Sequence, residues 1–171
     1  MRTTAQLSLK EITDLLHKGW MSHDGMWFYH CLKEFGIEKA NKLNKATIQS
    51  LAPLEMKRLK KLLGIEKVET FEEFKHLLSG AFELLVADFM NATMSLPDKN
   101  ILHWEFTPKE CFAYKGMQSL GVIDKYECGV IYRIECWIDS LGIKYHINPQ
   151  VKGCLMLVAG NCSGEFRLEL K

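Results

Sequence analysis

The sequence predicts an α+β protein in which N-terminal helices are followed by an antiparallel sheet with two interleaved helices. The first 80 residues show helical apolar spacing with capping boxes, whereas residues 101–106 and 166–170 alternate apolar and polar side chains. Two further helical patterns lie between the predicted strands. We expect residues 1–171 to form a single domain, with a mainly helical part at 1–80 and a sheet part with two helices at 81–171.

Three helices are predicted in the first 64 residues. Ser8 and Glu11 form a capping box at the start of the first, and Ser22 opens the second. The third is long, with a bend expected near Pro53. Glycines are expected to end these helices, at Gly19, Gly36 and Gly64.

A short helix and a hairpin are predicted next. Thr70 caps the helix together with Glu73. The apolar run at 81–90 is interpreted mostly as strand, because a turn cluster around Pro97 and Asp98 separates it from the alternating segment that follows.

The two interleaved helices have clear boundaries. Thr107 as N-cap, Pro108 at the first helical position and Glu110 in a capping box predict a helix that ends at Gly121. Residues 130–142 repeat apolar side chains at helical spacing.

Strands are predicted at the end of the chain. One runs from 143 to 149, and residues 154–170 are interpreted as a hairpin with its turn at 160–164. In the last strand, three apolar side chains should point inward and two charged ones outward: Phe166, Leu168 and Leu170, and Arg167 and Glu169.

The charge balance argues against several partner classes. With 22 Lys and Arg against 21 Asp and Glu, the formal charge of +1 creates no strong field, so we expect no nucleic-acid partner. The sequence shows neither an apolar signal segment nor an apolar stretch of bilayer length. We therefore expect no membrane partner and a cytoplasmic location.

Six cysteines in a chain without an export signal should remain reduced. Cys31 and Cys136 lie inside helical apolar patterns and are interpreted as small buried hydrophobic residues. The other four fall at the ends of predicted elements and are candidate metal ligands: Cys111, Cys128, Cys154 and Cys162.

Three of these cysteines could converge at one end of the sheet. Cys111 lies in the first turn of a predicted helix, where free amides and the helix dipole favour a thiolate and lower its pKa. Cys128 precedes the next helix, and Cys162 lies in the hairpin turn. Thiolates suit zinc, Cu(I) or an iron–sulfur cluster, and three would leave a fourth position open.

Both the role of Cys154 as a fourth ligand and the metal site itself have alternative interpretations. A regular strand over 154–159 would place Cys154 about 17 Å from the turn, so its membership requires a bulge or a later strand start. Because the chain contains no CxxC pair, four unconnected thiols are the alternative to a metal site.

The opening helices carry a recognisable series of residues. The series consists of His23, Asp24, Trp27, Phe28, Gly36, Glu38, Ala40, Asn41 and Asn44. With these residues the chain resembles a family of small cytosolic proteins from anaerobic bacteria and archaea that lack an assigned reaction. That family is related to L-2-amino-thiazoline-4-carboxylate hydrolases and, more distantly, to 4-vinyl reductase-like domains. The resemblance implies an α+β ligand-binding module with cysteines at family-like positions, or a hydrolase acting on C–N bonds.

The same series suggests a small-molecule pocket. Glu38, Asn41 and Asn44 recur every three residues on one helix face, and the aromatic side chain of Trp27 belongs to a neighbouring apolar face. The alternative is that the amides cap or cross-link helices. Asp24 has a similar alternative, as the cap of a helix.

Two functions follow from these candidates. The first is a small-molecule or metal-binding module that uses the pocket and the cysteines. The second is a hydrolase of a small polar heterocycle or amide, with His23 or Asp24 as general base and Asn41 or Asn44 stabilising developing charge. Because no nucleophile or zinc-protease motif occurs, binding is favoured slightly. A homodimer is expected from the general frequency of small dimers.

Overall fold

The computed structural model describes residues 2–97 and 100–171. In these ranges it contains five α-helices and one four-stranded antiparallel sheet, which confirms the predicted α+β class. The helices are α1 (Leu9–Leu63), α2 (Phe71–Leu85), α3 (Phe112–Ser119), α4 (Gly129–Ser140) and α5 (Leu155–Val158). The strands are β1 (Ala92–Ser95), β2 (Ile101–Phe106), β3 (Tyr145–Asn148) and β4 (Cys162–Leu168).

Helix α1 begins at the predicted capping box. Ser8 Oγ accepts a hydrogen bond from the Glu11 amide at 3.2 Å, and the Glu11 carboxylate accepts one from the Ser8 amide at 2.8 Å. The expected end at Gly19 is wrong, because the helix continues through this residue. A glycine inside a helix costs about 1 kcal/mol relative to alanine, which alone does not end a helix.

The real interruption of α1 is at Gly36, as predicted. Its φ of 78° and ψ of 171° are accessible essentially to glycine alone, and they divide α1 into helical parts 9–35 and 37–63. Gly64, with φ of 69°, ends the second part. No helix in the described ranges, α1 included, combines the length and apolar character needed to cross a membrane.

Helix α2 begins at the predicted Thr70–Glu73 capping box but extends further than expected. The interpretation of 81–90 as mostly strand is wrong, because the helix continues to Leu85 and β1 begins only at Ala92. Its buried side chains follow helical spacing: Phe71, Phe74, Leu77, Leu78 and Ala81.

The sheet has the strand order β1-β2-β4-β3. Strands β1 and β2 form the predicted antiparallel pair, while the turn residue Asp98 lies outside the described residues. The predicted C-terminal hairpin is wrong: residues 155–158 form α5, and β4 pairs with β2 and β3 instead. Because β4 is a central strand, distant segments satisfy its backbone, and no local hairpin is required.

One face of the sheet is buried. Phe166 and Leu168 point inward as predicted, and Trp104 of β2 lies directly opposite Gly164 of β4. A Cβ atom on Gly164 would lie 2.4 Å from the Trp104 ring, so only glycine fits at this crossing. The indole therefore packs across β4, on the same face as Cys162.

Helix α3 starts later than expected. Residues 107–110 form a turn in which the Glu110 amide donates to the Thr107 carbonyl at 3.0 Å, and the helix begins at Phe112. The N-cap residue is thus Cys111 rather than Thr107. Because the turn holds Lys109 at φ of 63°, the chain cannot enter a helix there.

Candidate ligand cavity and thiol cluster

A cavity of about 450 Å³ lies among α1, α2, α3, α4 and the adjoining strands. Small-molecule pockets typically enclose about 300–1,000 Å³. Eight aromatic side chains line it: Trp20, Phe28, Phe82, Phe89, Phe106, Phe112, Tyr126 and Trp137. The cavity can therefore surround an apolar molecule with aromatic rings.

Two helices contribute stripes of residues spaced by four. Trp20, Asp24 and Phe28 line the cavity from α1. Gly129, Arg133 and Trp137 line it from α4. Residues at i, i+4 and i+8 share one helix face, so this spacing was visible in the sequence. The expected helix end at Gly19 and new helix start near Ser22 concealed the first stripe.

One end of the cavity contains a buried ion pair. Arg133 Nε donates to Glu55 Oε2 at 3.1 Å, Arg133 Nη2 donates to Glu55 Oε1, and Trp137 Nε1 donates to Glu55 Oε2 at 2.8 Å. The guanidinium carbon lies 4.5 Å from the centroid of the Trp20 ring. Because Glu55 is only 8% exposed, its carboxylate balances the charge of Arg133 inside the protein.

Asp24 lies at the rim of this cavity, with its side chain 54% exposed. Partial burial raises the pKa of Asp24 above its ordinary value, against the opposing effects of Arg133 and then His23. Within the described ranges, its carboxylate accepts no hydrogen bond, and its nearest basic atom is His23 Nδ1 at 4.0 Å. The predicted general base Asp24 therefore faces the cavity, within α1 rather than as a helix cap.

The other predicted catalytic residue, His23, points elsewhere. Its side chain is 78% exposed and does not line the cavity. Adjacent helical residues differ by about 100° in direction, which explains why His23 and Asp24 face different surroundings. The helix start expected at Ser22 is wrong, because α1 is continuous through residues 22–25.

Asn41 has a cross-linking position. Its side-chain amide donates to the Lys125 carbonyl at 2.8 Å, and its side-chain oxygen accepts from the Glu127 amide at 3.3 Å. The residue is 3% exposed. These bonds attach the second part of α1 to the segment before α4.

Of the other predicted pocket residues, one lines the cavity and two do not. Asn44 lines the cavity, and its Nδ2 would lie 2.7 Å from a Cβ atom on Gly129. Glycine at 129 therefore allows α4 to begin close to α1. Trp27, 47% exposed, and Glu38, also exposed, do not line the cavity.

Four of the six free cysteines form a second feature, which we call the thiol cluster: Cys111, Cys128, Cys154 and Cys162. The first three are N-cap residues of α3, α4 and α5, and the fourth begins β4. The thiols lie near one another, since negative charge on Cys111 and Cys154 raises the pKa of both Cys128 and Cys162. All four candidate ligands, including Cys154, therefore lie close enough for their charges to interact.

Burial is the largest influence on the pKa values of Cys111, Cys128 and Cys162. It raises the pKa of Cys128 to about 11 and that of Cys162 to about 12. The pKa of Cys111 is also raised, although the amides of Tyr114 and Ala113 favour its thiolate. The expectation of a lowered pKa at Cys111 is therefore wrong, because desolvation outweighs the helix terminus.

The cluster does not have the geometry of a formed metal site. In the described parts of the chain, no three His, Cys, Asp or Glu side chains are placed so that they could together hold a metal ion. Beside Cys162, however, the buried indole N–H of Trp104 acts to lower the pKa of the thiol, although burial raises it more. An N–H group in this position favours an anionic sulfur or another acceptor.

Tyr126 lies next to both the cavity and the thiol cluster. Its ring lines the cavity, and its hydroxyl oxygen accepts a hydrogen bond from the Gly129 amide at 3.0 Å. Burial raises the pKa of Tyr126, and negative charge on Cys128 raises it further. The two candidate sites are therefore neighbours that share one side chain.

Comparison with known protein families identifies the family of the chain. The DUF6125 family model, described as a family of unknown function, matches residues 4–155. The chain belongs to the DUF6125 family. The matched range includes both cavity-lining stripes and three cysteines of the thiol cluster, but it ends before Cys162. No curated protein and no solved structure matches the chain.

Proposed function

We propose that this DUF6125 protein binds a small, largely apolar molecule in the cavity between α1 and α4. The observation that carries the proposal is the aromatic cavity of about 450 Å³, which contains few charged groups. Sites of this kind bury most of the ligand surface against apolar walls and orient the ligand through a few polar groups. Here the polar groups include Asp24, Asn44 and Arg133.

A neutral fluorescent probe tests the proposal. N-phenyl-1-naphthylamine becomes fluorescent in apolar surroundings, so a saturable increase with one site per chain is expected. Gly116 lines the cavity on α3, and the space beyond its Cα is empty. Gly116→Leu should place a side chain in that space and weaken probe binding at least tenfold.

Gly19→Leu is the matched control. Gly19 is also helical, also has empty space beyond its Cα, and does not line the cavity. Equal effects of the two substitutions, or no saturable binding to the unmodified protein, would overturn the proposal.

A second candidate function is binding of zinc or an iron–sulfur cluster by the thiol cluster. It is supported by the proximity of the four thiols and by the buried indole N–H of Trp104 beside Cys162. Rotation of the cysteine side chains about χ1 would be needed to direct the sulfurs at one ion. A bound ion would lower the thiol pKa values and deprotonate the ligands.

Elemental analysis of protein purified under anaerobic conditions tests this function. Near-stoichiometric zinc or iron is expected, and it should be lost in a Cys111→Ser/Cys128→Ser double variant. Cys136→Ser is the control, because this buried cysteine lies in α4 outside the cluster. Absence of metal from all three proteins, or retention in the double variant, would refute it.

Only some of the residues predicted to catalyse hydrolysis line the cavity. Asp24 and Asn44 line the cavity, while His23 and Asn41 do not. Hydrolysis of a small polar heterocycle or amide would therefore rest on Asp24 as base and Asn44 as the charge-stabilising amide. This activity, and the relation to thiazoline hydrolases, stay predictions.

We also propose a cytoplasmic location and a homodimer. The six free thiols suit a reducing compartment. The N-terminal part of α1 exposes several large apolar side chains that a second copy could cover: Leu9, Leu15, Leu16, Met26 and Trp27. Light scattering during gel filtration should give twice the mass of the chain, and a monomer at all accessible concentrations would exclude the dimer.

A further inference from the structure

We infer that the ligand of the cavity carries a positively charged amine, which pairs with Asp24 at the rim while the apolar body lies between the aromatic walls. This inference rests on the proposed function and specifies the ligand class. It follows from the charges at the cavity, the position of Asp24 on α1, and the depth at which a charged group would lie.

The arginine at the cavity is paired with another acid, and Asp24 is not. Arg133 donates two hydrogen bonds to Glu55, and its guanidinium carbon lies 4.5 Å from the centroid of the Trp20 ring. The carboxylate of Asp24 remains without an ion-pair partner closer than His23, at 4.0 Å, in residues 2–97 and 100–171. Because Glu55 offsets the charge of Arg133, the carboxylate of Asp24 is the lining group available to pair with a ligand, and it favours a cation over an anion.

The position of Asp24 suits the head group of an amphiphilic molecule. Trp20 and Phe28 lie one helical turn before and after it on the same face of α1, so an apolar body beside these rings brings its head group to the carboxylate. Because Asp24 is about half exposed, an ammonium group there keeps part of its hydration and avoids the cost of full burial.

The lysine at the rim does not reverse this preference. Lys18 lines the cavity and, like Asp24, is exposed, so water screens its charge. It lies six residues before Asp24 and forms no ion pair with it within 4.0 Å. Six positions along a helix separate two side chains by about 9 Å of rise and about 120° of direction, so Lys18 and Asp24 face different directions.

Competition among three related naphthalene compounds tests the inference. Displacement of N-phenyl-1-naphthylamine is measured near neutral pH with 2-(1-naphthyl)ethylamine, 2-(1-naphthyl)ethanol and 1-naphthylacetic acid. The amine should bind about tenfold more tightly than the alcohol, as expected for a hydrogen bond to a charged group. The acid should bind most weakly.

Asp24→Asn isolates the carboxylate. This variant should lose the tenfold preference for the amine over the alcohol, the two affinities being compared within the variant itself. Asp14→Asn is the control, since Asp14 lies in the same helical part and does not line the cavity. The control should retain the preference.

The pH dependence provides an independent readout. Ionisation of Asp24 strengthens amine binding, so affinity should rise with pH through a pKa above the ordinary value for aspartate. The charged and titratable groups around Asp24 are His23, Glu55, Arg133 and Lys18. His23→Gln should retain the rise, whereas Asp24→Asn should abolish it.

The outcomes separate the inference from the function on which it rests. If the fluorescent probe does not bind saturably, the proposed function fails. If the probe binds but the alcohol or acid competes as well as the amine, or if Asp24→Asn leaves the preference unchanged, only the inference fails.

Discussion

Replacing Glu55 by alanine should destabilise the protein by removing the buried acid that joins α1 to α4. Glu55 accepts two hydrogen bonds from Arg133 and one from Trp137. The Arg133 side chain is 20% exposed, so the substitution leaves a mostly buried cation without its counter-ion. Breaking a buried pair in this way costs about 3–5 kcal/mol in the free energy of unfolding.

Urea unfolding followed by circular dichroism measures this loss of free energy of unfolding. In thermal unfolding, the melting temperature of a chain of 171 residues should fall by about 10 °C. Glu165→Ala is the matched control, because Glu165 pairs with Arg167, which is 65% exposed. Loss of such an exposed pair costs about 1 kcal/mol at most.

A double variant identifies the source of the loss. Glu55→Ala combined with Arg133→Met removes the unpaired cation as well as the acid, so much of the lost stability should return. If Glu55→Ala and Glu165→Ala lower the free energy of unfolding equally, the buried pair does not have the role assigned to it.

Three further predictions concern packing and acidity. Gly164→Ala should lower the free energy of unfolding by about 1–3 kcal/mol, because the added methyl group would clash with Trp104. Gly19→Ala, in a helix with empty space around the residue, should raise it by up to about 1 kcal/mol. Urea unfolding that gives changes of the same sign for both variants would contradict this. In metal-free protein, alkylation of the Cys128 thiol should be slow near neutral pH, as measured by mass spectrometry. The rate should rise about tenfold per pH unit up to the thiol pKa of about 11, and a pH-independent rate would contradict burial of the thiol. Asn41→Ala should cost about 1–3 kcal/mol in the same unfolding assay, and an unchanged midpoint would show that its two bonds contribute little.

The helix starts show which signals can be read locally. The capping boxes at Ser8 and Thr70 were predicted correctly, as was the break at Gly36. Each depends on residues within one helical turn or on the backbone freedom of one glycine. The capping pattern at Thr107 predicted the wrong helix start, because a local capping box competes with a turn that the surrounding structure favours.

The candidate sites required longer-range information. Glu55 and Arg133 are 78 residues apart, and no spacing rule connects them. The sequence placed Cys111, Cys128 and Cys162 at element ends, and Cys154 lies at the start of α5 where a strand was expected. The acidity of Cys111 was also misjudged, since burial depends on the final packing of the chain.

The sequence by itself determined the α+β class, the capped helix starts at Ser8 and Thr70, and the alternating inward face of β4. These features arise from local backbone geometry and from the period of apolar residues, which act over a few positions. The tertiary structure decided the partners of β4, the extent of α2, the ion pair of Arg133 with Glu55 and the surroundings of Asp24. These depend on which distant segments exclude water together, and that is settled only when the helices pack against one another and against the sheet.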